Sequence, residues 1–322
     1  MHSSFRPSPS QASLRLRVPS DLLASRVWKP RENPLKCIRM DVTGIDSEGR
    51  EFKSAEEMWR EEVGDGDPLK KSQWYSQGVS YWQGVEATVD GVLGGYEHVN
   101  EPDIQGSEAF LNALLSERFP DAGSGRRLVT LDCGSGIGRI TKNLLIRYFN
   151  EVDLLEPVSH FLETARRNLS PENLMVTDEH KAANFFCIPL QEFTPEPERY
   201  DVIWIQWCIG HLSDDDFVSF FKRAKAGLKP GGLFVLKENI ARSGFVLDKV
   251  DKSITRSDLY FKQLFDQCEL HVYKTKDQNG FPDELFAVKM YALTSEVLPK
   301  RAPVRSTRSA SKKRANRPAI IK

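Results

Sequence analysis

From residue 128 onward, short continuous apolar runs alternate with stretches whose apolar residues recur every three or four positions. Leu128–Leu131, Val152–Leu155, Asn184–Pro189, Tyr200–Gln206 and Leu233–Lys237 have the length and content of buried strands. Between them, Arg139–Tyr148 sets Ile140, Leu144 and Leu145 on one helical face. Residues 159–169 predict a second helix, and Asp214–Leu228 a third, closed by Pro230-Gly-Gly232. Pro171–Lys181 is polar and reads as loop, and Asp258–Cys268 as helix. His271–Thr275 and Leu285–Leu293 read as closing strands, with Asn279-Gly280 between them. Strands alternating with helices predict a mostly parallel sheet with helices on both faces, to which a final hairpin adds an antiparallel strand.

Upstream the pattern changes. Ala55–Glu62 is helical in spacing, and Ser107–Phe119 buries Phe110, Leu111, Leu114 and Leu115. Between these two, Trp74, Tyr75, Tyr81 and Trp82 crowd into Gln73–Gly84, just before a glycine-rich turn at 88–96. Aromatics beside a flexible turn suit a lid or pocket wall; they equally suit a helix packing on the core.

Composition adds an organisation that the pattern hides. The 322 residues are 40% apolar and 28% charged, enough for a sizeable core. No apolar run approaches the ~18 residues of a membrane helix. Lys and Arg equal Asp and Glu at 45 each, yet they are segregated. Residues 1–39 hold eight basic and two acidic residues, and 300–322 hold nine basic and none acidic. Residues 40–299 keep 28 basic against 43 acidic, a net of −15. An acidic body concentrates cationic substrates around itself. The expected organisation is a basic leader at 1–39, an acidic extension at 40–72, a main domain at 73–295 and a basic tail at 296–322. The leader is Arg- and Ser-rich, as organellar transit segments are; the rival reading is a start at Met40. The tail suits a nuclear address, a polyanion patch through which nucleic acid is contacted, or a merely solvated end. Five cysteines without C-x-x-C spacing read as reduced thiols of an intracellular protein, and the expected location is cytoplasm and nucleus.

The chemistry sits at the first strand. Leu128–Leu131 is followed by Asp132 and then by Gly134, Gly136 and Gly138. The spacing is G-x-G-x-G, not the G-x-G-x-x-G of dinucleotide sites. Glu156 ends the second strand about twenty residues on, where an acid accepts from ribose hydroxyls. Arg139 opens a helix, where the dipole disfavours a cation, which suggests an answer to a ligand carboxylate. Ribose and carboxylate without pyrophosphate describe S-adenosylmethionine. Ligands in such sheets lie beyond the C-terminal strand ends. That rule selects Leu190 and Gln191 to meet an adenine edge. It also selects Gln206, Trp207 and His211, then Glu238 and Asn239, with Asp248 and Asp251 in the loop beyond. Trp207 is also a candidate for core packing, His211 for a surface histidine, and the two aspartates for a solvated loop. No H-E-x-x-H, Cys/His cluster or P-loop supports metal or nucleoside triphosphate chemistry.

Four stretches carry a family resemblance: Thr88–Tyr96, Leu131–Lys142, Asp201–Leu212 and Val246–Asp251. The chain resembles the protein alpha-N-terminal methyltransferases from about Trp74 to Leu293. These methylate the alpha-amine of proteins beginning Xaa-Pro-Lys or Xaa-Pro-Arg. The extensions and Met40 resemble a plant member. The resemblance implies a class I, Rossmann-like methyltransferase fold with a seven-stranded sheet and N-terminal helical additions. It implies an S-adenosyl-L-methionine site, yielding S-adenosyl-L-homocysteine, at Gly134, Arg139, Glu156, Pro157, Val158, Leu190, Gln191 and Gln206. It implies a peptide channel at Trp82, Trp207, Asn239, Asp248 and Asp251, and His211 near the reacting amine. Two positions depart from the family pattern: Glu156 stands where Asp is usual, and Phe286 where a channel Tyr is expected.

An alpha-amine of pKa ~7.7–8.0 is mostly protonated at pH 7, so a base must take its proton or the site must favour the neutral form. His211 and Asp251 are both candidates, and the sequence leaves the choice open. Three rival readings remain at this level: a methyltransferase of small amines or nucleic acid, a non-catalytic N-terminus-binding scaffold, and an NAD-dependent oxidoreductase. The acidic body disfavours nucleic acid, and the glycine spacing disfavours the oxidoreductase.

Overall fold

The computed structural model describes residues 42–174 and 179–296. The leader at 1–39 and the tail from 297 onward lie outside them. The described residues open with a two-stranded turn, β1 (Gly44–Asp46) and β2 (Glu51–Phe52), followed by α1 (Ala55–Glu62). Ser54 caps α1 by accepting from the Glu57 amide. Next come α2 (Pro68–Gln83), capped by Asp67 with Pro68 at the first turn, the short α3 (Val89–Val92) and α4 (Asn100–Arg118). The alternating part follows as β3 (Val129–Cys133), α5 (Arg139–Asn143), β4 (Glu151–Leu155), α6 (Ser159–Asn168), β5 (Lys181–Phe186) and β6 (Tyr200–Gln206). It continues with α7 (Asp214–Ala224) and β7 (Leu228–Ile240), a hairpin of β8 (Phe245–Asp248) and β9 (Ser253–Arg256), then α8 (Asp258–Gln267), β10 (His271–Asp277) and β11 (Ala287–Thr294).

The main sheet runs β10-β11-β7-β6-β3-β4-β5. β3 to β7 are parallel, and β11 lies antiparallel between β7 and β10. Alternation along each strand divides the core between two faces. Leu131, Ile203, Ile205, Phe234 and Leu236 pack under Phe217, Phe220 and Phe221 of α7 and Phe261, Leu264 and Phe265 of α8. Val152, Leu154, Val202, Trp204 and Val235 pack under Phe110, Leu111 and Leu114 of α4 and Leu162 and Ala165 of α6.

Several boundaries differ from the sequence reading. The helix expected at Arg139–Tyr148 is a single short helix followed by a 3-10 turn at Leu145–Arg147. Its N-cap, Gly138, is left-handed at φ 76°, and a Cβ there would stand 3.0 Å from Leu169 and 3.2 Å from Ala165, so the close approach of α6 also favours glycine at this helix start. Pro230-Gly-Gly232 does not follow the helix as a loop; it lies inside the 13-residue β7. A register shift between Tyr200 and Val202 absorbs it. The third strand begins at Lys181, three residues early, and α4 begins seven residues before Ser107.

One architectural feature has no sequence signature. β2, β1, β8 and β9 form a second, four-stranded sheet, with β1 parallel to β8. The acidic extension therefore pairs with a hairpin that follows β7. The N-terminal additions are strands as well as helices, and the boundary read at 72/73 falls inside α2.

Candidate active site

The glycine turn follows directly from β3. Gly134, Gly136 and Gly138 have φ of 63°, 53° and 76°, which costs an L side chain about 1–2 kcal/mol each. A Cβ on Gly134 would stand 2.3 Å from the Cβ of Cys208, so the turn is also sterically closed there. The turn borders a cleft of about 1130 Å³ across the C-terminal ends of β3, β4 and β6. All eight residues expected to hold cofactor line it: Gly134, Arg139, Glu156, Pro157, Val158, Leu190, Gln191 and Gln206.

Their chemistry differs from residue to residue. Glu156 is buried, and its two carboxylate oxygens accept from the Gly136 and Val158 amides, each at 2.9 Å. Burial pushes its carboxyl up to about 7, against those two hydrogen bonds. Asp132, buried behind the turn and accepting from Thr141 Oγ1, is pushed up to about 6 for the same reason. Ser135 Oγ, buried in the cleft wall, has no hydrogen-bond partner among the described residues.

Arg139 and Gln206 show a partner that sequence reading missed. Arg139 Nη1 donates to Asp103 at 2.7 Å and to Asn100 at 2.9 Å. Gln206 Nε2 donates to both Asp103 oxygens, and Lys237 Nζ binds Asp103, Ser107 and Gln278. Asp103 is fully buried and sits between two cations. The charges of Arg139 and Lys237 hold its carboxyl below the usual range although burial opposes them. Arg139 borders the cleft, but its charge is already answered from within the protein. Asp103 lies before the helix that the sequence predicts from Ser107, and only the fold brings α5, β6 and β7 to it.

A second cavity of about 610 Å³ adjoins the cleft. Trp82, Val92, Trp207 and His211 border both. Beyond them lie Asn239, Asp251 and Glu238, the last pushed up to about 7 by burial. Trp207 is held at φ 54°, rare for a bulky residue. Its ring has the Arg139 and Lys237 cations at 5.5 and 6.0 Å, and its buried indole N–H has no partner among the described residues.

His211 is fixed by both ring nitrogens. Trp82 Nε1–H donates to His211 Nε2 at 3.1 Å, and His211 Nδ1 faces the Lys252 carbonyl at 3.0 Å. An indole N–H can only donate and a carbonyl can only accept, so the imidazole is neutral with its proton on Nδ1. Burial lowers its pKa in the same sense. Asp251 accepts from Ser253 Oγ at 2.6 Å. Asp248 caps the β8–β9 turn by accepting from the Val250 and Asp251 amides. Burial pushes both carboxyls up, and the charge of Asp251 adds to the rise at Asp248.

Two expected channel residues are placed elsewhere. Asp248 and Phe286 border neither cavity. The aromatic that meets Trp207 is Phe281, at 6.2 Å between ring centroids. Phe286 and Phe281 both lie between β10 and β11, and register along that connection is not written in the apolar pattern. The aromatics of α2 divide their roles: Trp74 packs in the core against Trp59 while bordering the cleft and donating from Nε1 to the His211 carbonyl at 2.8 Å, and Trp82 walls both cavities.

The comparisons with known proteins bear on this geometry. A family model described as AdoMet dependent proline di-methyltransferase matches residues 70–294. The chain belongs to that family. It is 68% identical over 284 residues to alpha N-terminal protein methyltransferase 1 of Arabidopsis thaliana, covering 88% of this chain and all of that one. It is 43% identical over 223 residues to N-terminal Xaa-Pro-Lys N-methyltransferase 1-B of Xenopus laevis, covering 69% and 96%. A solved SAM-dependent methyltransferase of Leishmania major superposes with a TM-score of 0.71 at 40% identity, over 83% of this chain and all of that one. The chain is thus an S-adenosylmethionine-dependent methyltransferase of the expected fold class. Glycines that keep side chains off the turn, an acid at the end of β4 and the unpartnered Ser135 hydroxyl fit that cofactor. No group of three or more His, Cys, Asp or Glu able to hold a metal occurs among the described residues. Nor is any described helix long and apolar enough to cross a membrane.

Proposed function

We propose that this chain transfers methyl groups to the alpha-amine of protein N-termini beginning Xaa-Pro-Lys or Xaa-Pro-Arg. The observation that carries the reading is the junction of the two cavities at Trp82, Trp207 and His211. The glycine-turn cleft has the chemistry of a cofactor site, and the adjoining cavity has aromatic walls and acids at its far side. The names of the Arabidopsis and Xenopus relatives support the same substrate class.

S-adenosylmethionine supplies a methyl group already activated on a sulfonium. Gly134, Gly136, Glu156, Leu190 and Gln191 are the residues to hold it, with Glu156 accepting from the ribose. The protein's remaining work is to orient a neutral amine at the junction and keep water out. Trp207 offers its face to the substrate proline and its unpartnered N–H to a peptide carbonyl. Asn239, on the wall of the same cavity, offers its amide to the peptide backbone. Asp251, with its pKa raised by burial, takes the amine proton more readily than an exposed aspartate. His211 Nε2 is a second acceptor once Trp82 releases it; with the indole bonded, its lone pair is occupied.

Methyl transfer from labelled S-adenosylmethionine to a Ser-Pro-Lys peptide and to its N-acetylated twin tests the reading. Transfer to the free peptide alone is expected. Transfer to both moves the chemistry to a side chain, and transfer to neither with cofactor bound overturns the substrate class.

A further inference from the structure

The segment 42–62 lies outside the stretch matched by the family model, which begins at residue 70, yet it is built into the hairpin that carries Asp248 and Asp251. β1 runs parallel to β8 with Gly44 opposite Phe245 and Asp46 opposite Leu247. The fit is close. A Cβ on Gly44 would fall 2.5 Å from the Phe245 ring, and one on Gly244 would fall 1.8 Å from the Thr43 carbonyl. Phe52 packs on the Phe245 ring at 6.0 Å, and the Ser47 amide donates to the Leu247 carbonyl at 2.8 Å.

The segment also supplies charge. The turn from 248 to 252 reads Asp-Lys-Val-Asp-Lys, so its two acids are cancelled by its own two lysines. Glu48 pairs with Lys249 at 2.8 Å, and Glu62, at the end of α1, pairs with Lys252 at 3.0 Å. The second pair is the more sheltered, with both side chains 17% exposed, so solvent screens it less. Lys252 is also the residue whose carbonyl holds His211 Nδ1, and it stands in the left-handed region at φ 58°. Anchoring its side chain steadies that carbonyl.

We propose that residues 42–62 are a positioning clamp. They fix the β8–β9 hairpin by strand pairing and neutralise Lys249 and Lys252, so that the turn keeps a net anionic field at the second cavity, which Asp251 lines and Asp248 does not, toward the cationic residue of a peptide substrate. The proposal rests on the substrate class given above. Without Glu48 and Glu62 the two lysines oppose a Lys- or Arg-bearing peptide at short range.

The Glu48→Gln/Glu62→Gln variant keeps the shape of both side chains and removes their charge. The KM for a Ser-Pro-Lys peptide is expected to rise about fivefold at low ionic strength, with kcat and the Kd for cofactor within twofold of the parent. The increase should vanish in 0.5 M salt, where the Debye length is about 4–5 Å. Adding Lys249→Gln and Lys252→Gln should restore the KM. A KM that does not move, or a loss that survives salt and is not restored, overturns the charge role. Amide exchange tests the clamp without any substrate. Phe52→Ala should speed exchange at Phe245–Leu247 at least tenfold and leave Leu233–Leu236 of the main sheet unchanged. Equal protection of the hairpin in both proteins overturns the clamp. If the parent does not methylate the peptide at all, the substrate class fails by itself, and the exchange result still decides whether the extension holds the hairpin.

Discussion

Glu156 joins sequence and chemistry most directly, because one side chain braces the glycine turn and is also the acid proposed to hold the ribose. Its carboxylate oxygens already accept from Gly136 and Val158, and burial pushes its pKa up to about 7. A ribose diol donates, so cofactor binding favours the ionised form. As pH falls through about 7 the carboxyl gains a proton and loses acceptor capacity, and the Kd for S-adenosylmethionine should climb. By calorimetry, the parent should weaken several-fold between pH 8 and pH 6. Glu156→Gln should bind about tenfold or more weakly at pH 8 and show a flat profile. A parent whose Kd is independent of pH would show that the ribose does not meet this carboxylate. At the same scale, Trp82 and His211 explain why a histidine near the amine is not automatically the base: its acceptor nitrogen is occupied by an indole N–H until that aromatic moves.

At the scale of elements, the cleft is held by contacts between segments far apart in sequence. Asp103 of α4 joins Arg139 of α5, Gln206 of β6 and Lys237 of β7 in one buried cluster. Removing one partner from a buried charged set leaves the others uncompensated. Asp103→Asn leaves two buried cations without their anion, and roughly 3–5 kcal/mol of stability should be lost in urea denaturation. An unchanged midpoint would show that Gln278 and Ser107 suffice for Lys237. Gly78 acts at the same scale from the opposite side. A Cβ there would stand 3.3 Å from the Asp251 carbonyl oxygen and 3.6 Å from His211 Nδ1, so the helix bearing Trp82 packs closely on the β8–β9 turn.

Across the whole molecule, the acidic body suits the cationic peptide proposed as substrate. The net of −15 over residues 40–299 surrounds a site whose second cavity contains Asp251 and Glu238. Long-range attraction of this kind acts on encounter and is screened by salt. The kcat/KM for a Lys-bearing peptide should fall several-fold between 0.05 and 0.5 M salt, chiefly through KM. A salt-independent kcat/KM would show that the body's charge has no part in recruiting substrate.

The sequence by itself determined what depends on local order. Apolar runs and helical spacing defined the five parallel strands and most helices, because a buried strand and an amphipathic helix each carry their own period. The G-x-G-x-G turn and Glu156 gave the cofactor, because three left-handed positions and an acid at a strand end are local requirements. The strand-end rule carried Trp207, His211, Asn239, Asp248 and Asp251 to one rim and the resemblance added Trp82; the structure brings all of these but Asp248 to the walls of one cavity. Only the tertiary structure decided what depends on distant segments meeting. It assigned the charge of Arg139 to Asp103 rather than leaving it free for a ligand. It set Phe281 rather than Phe286 against Trp207, and it occupied both nitrogens of His211. It also paired residues 44–46 with 245–247 across two hundred positions. Hydrogen bonds and ion pairs between remote elements leave no period in the chain, because each partner looks locally like an ordinary polar residue until the fold brings the other beside it.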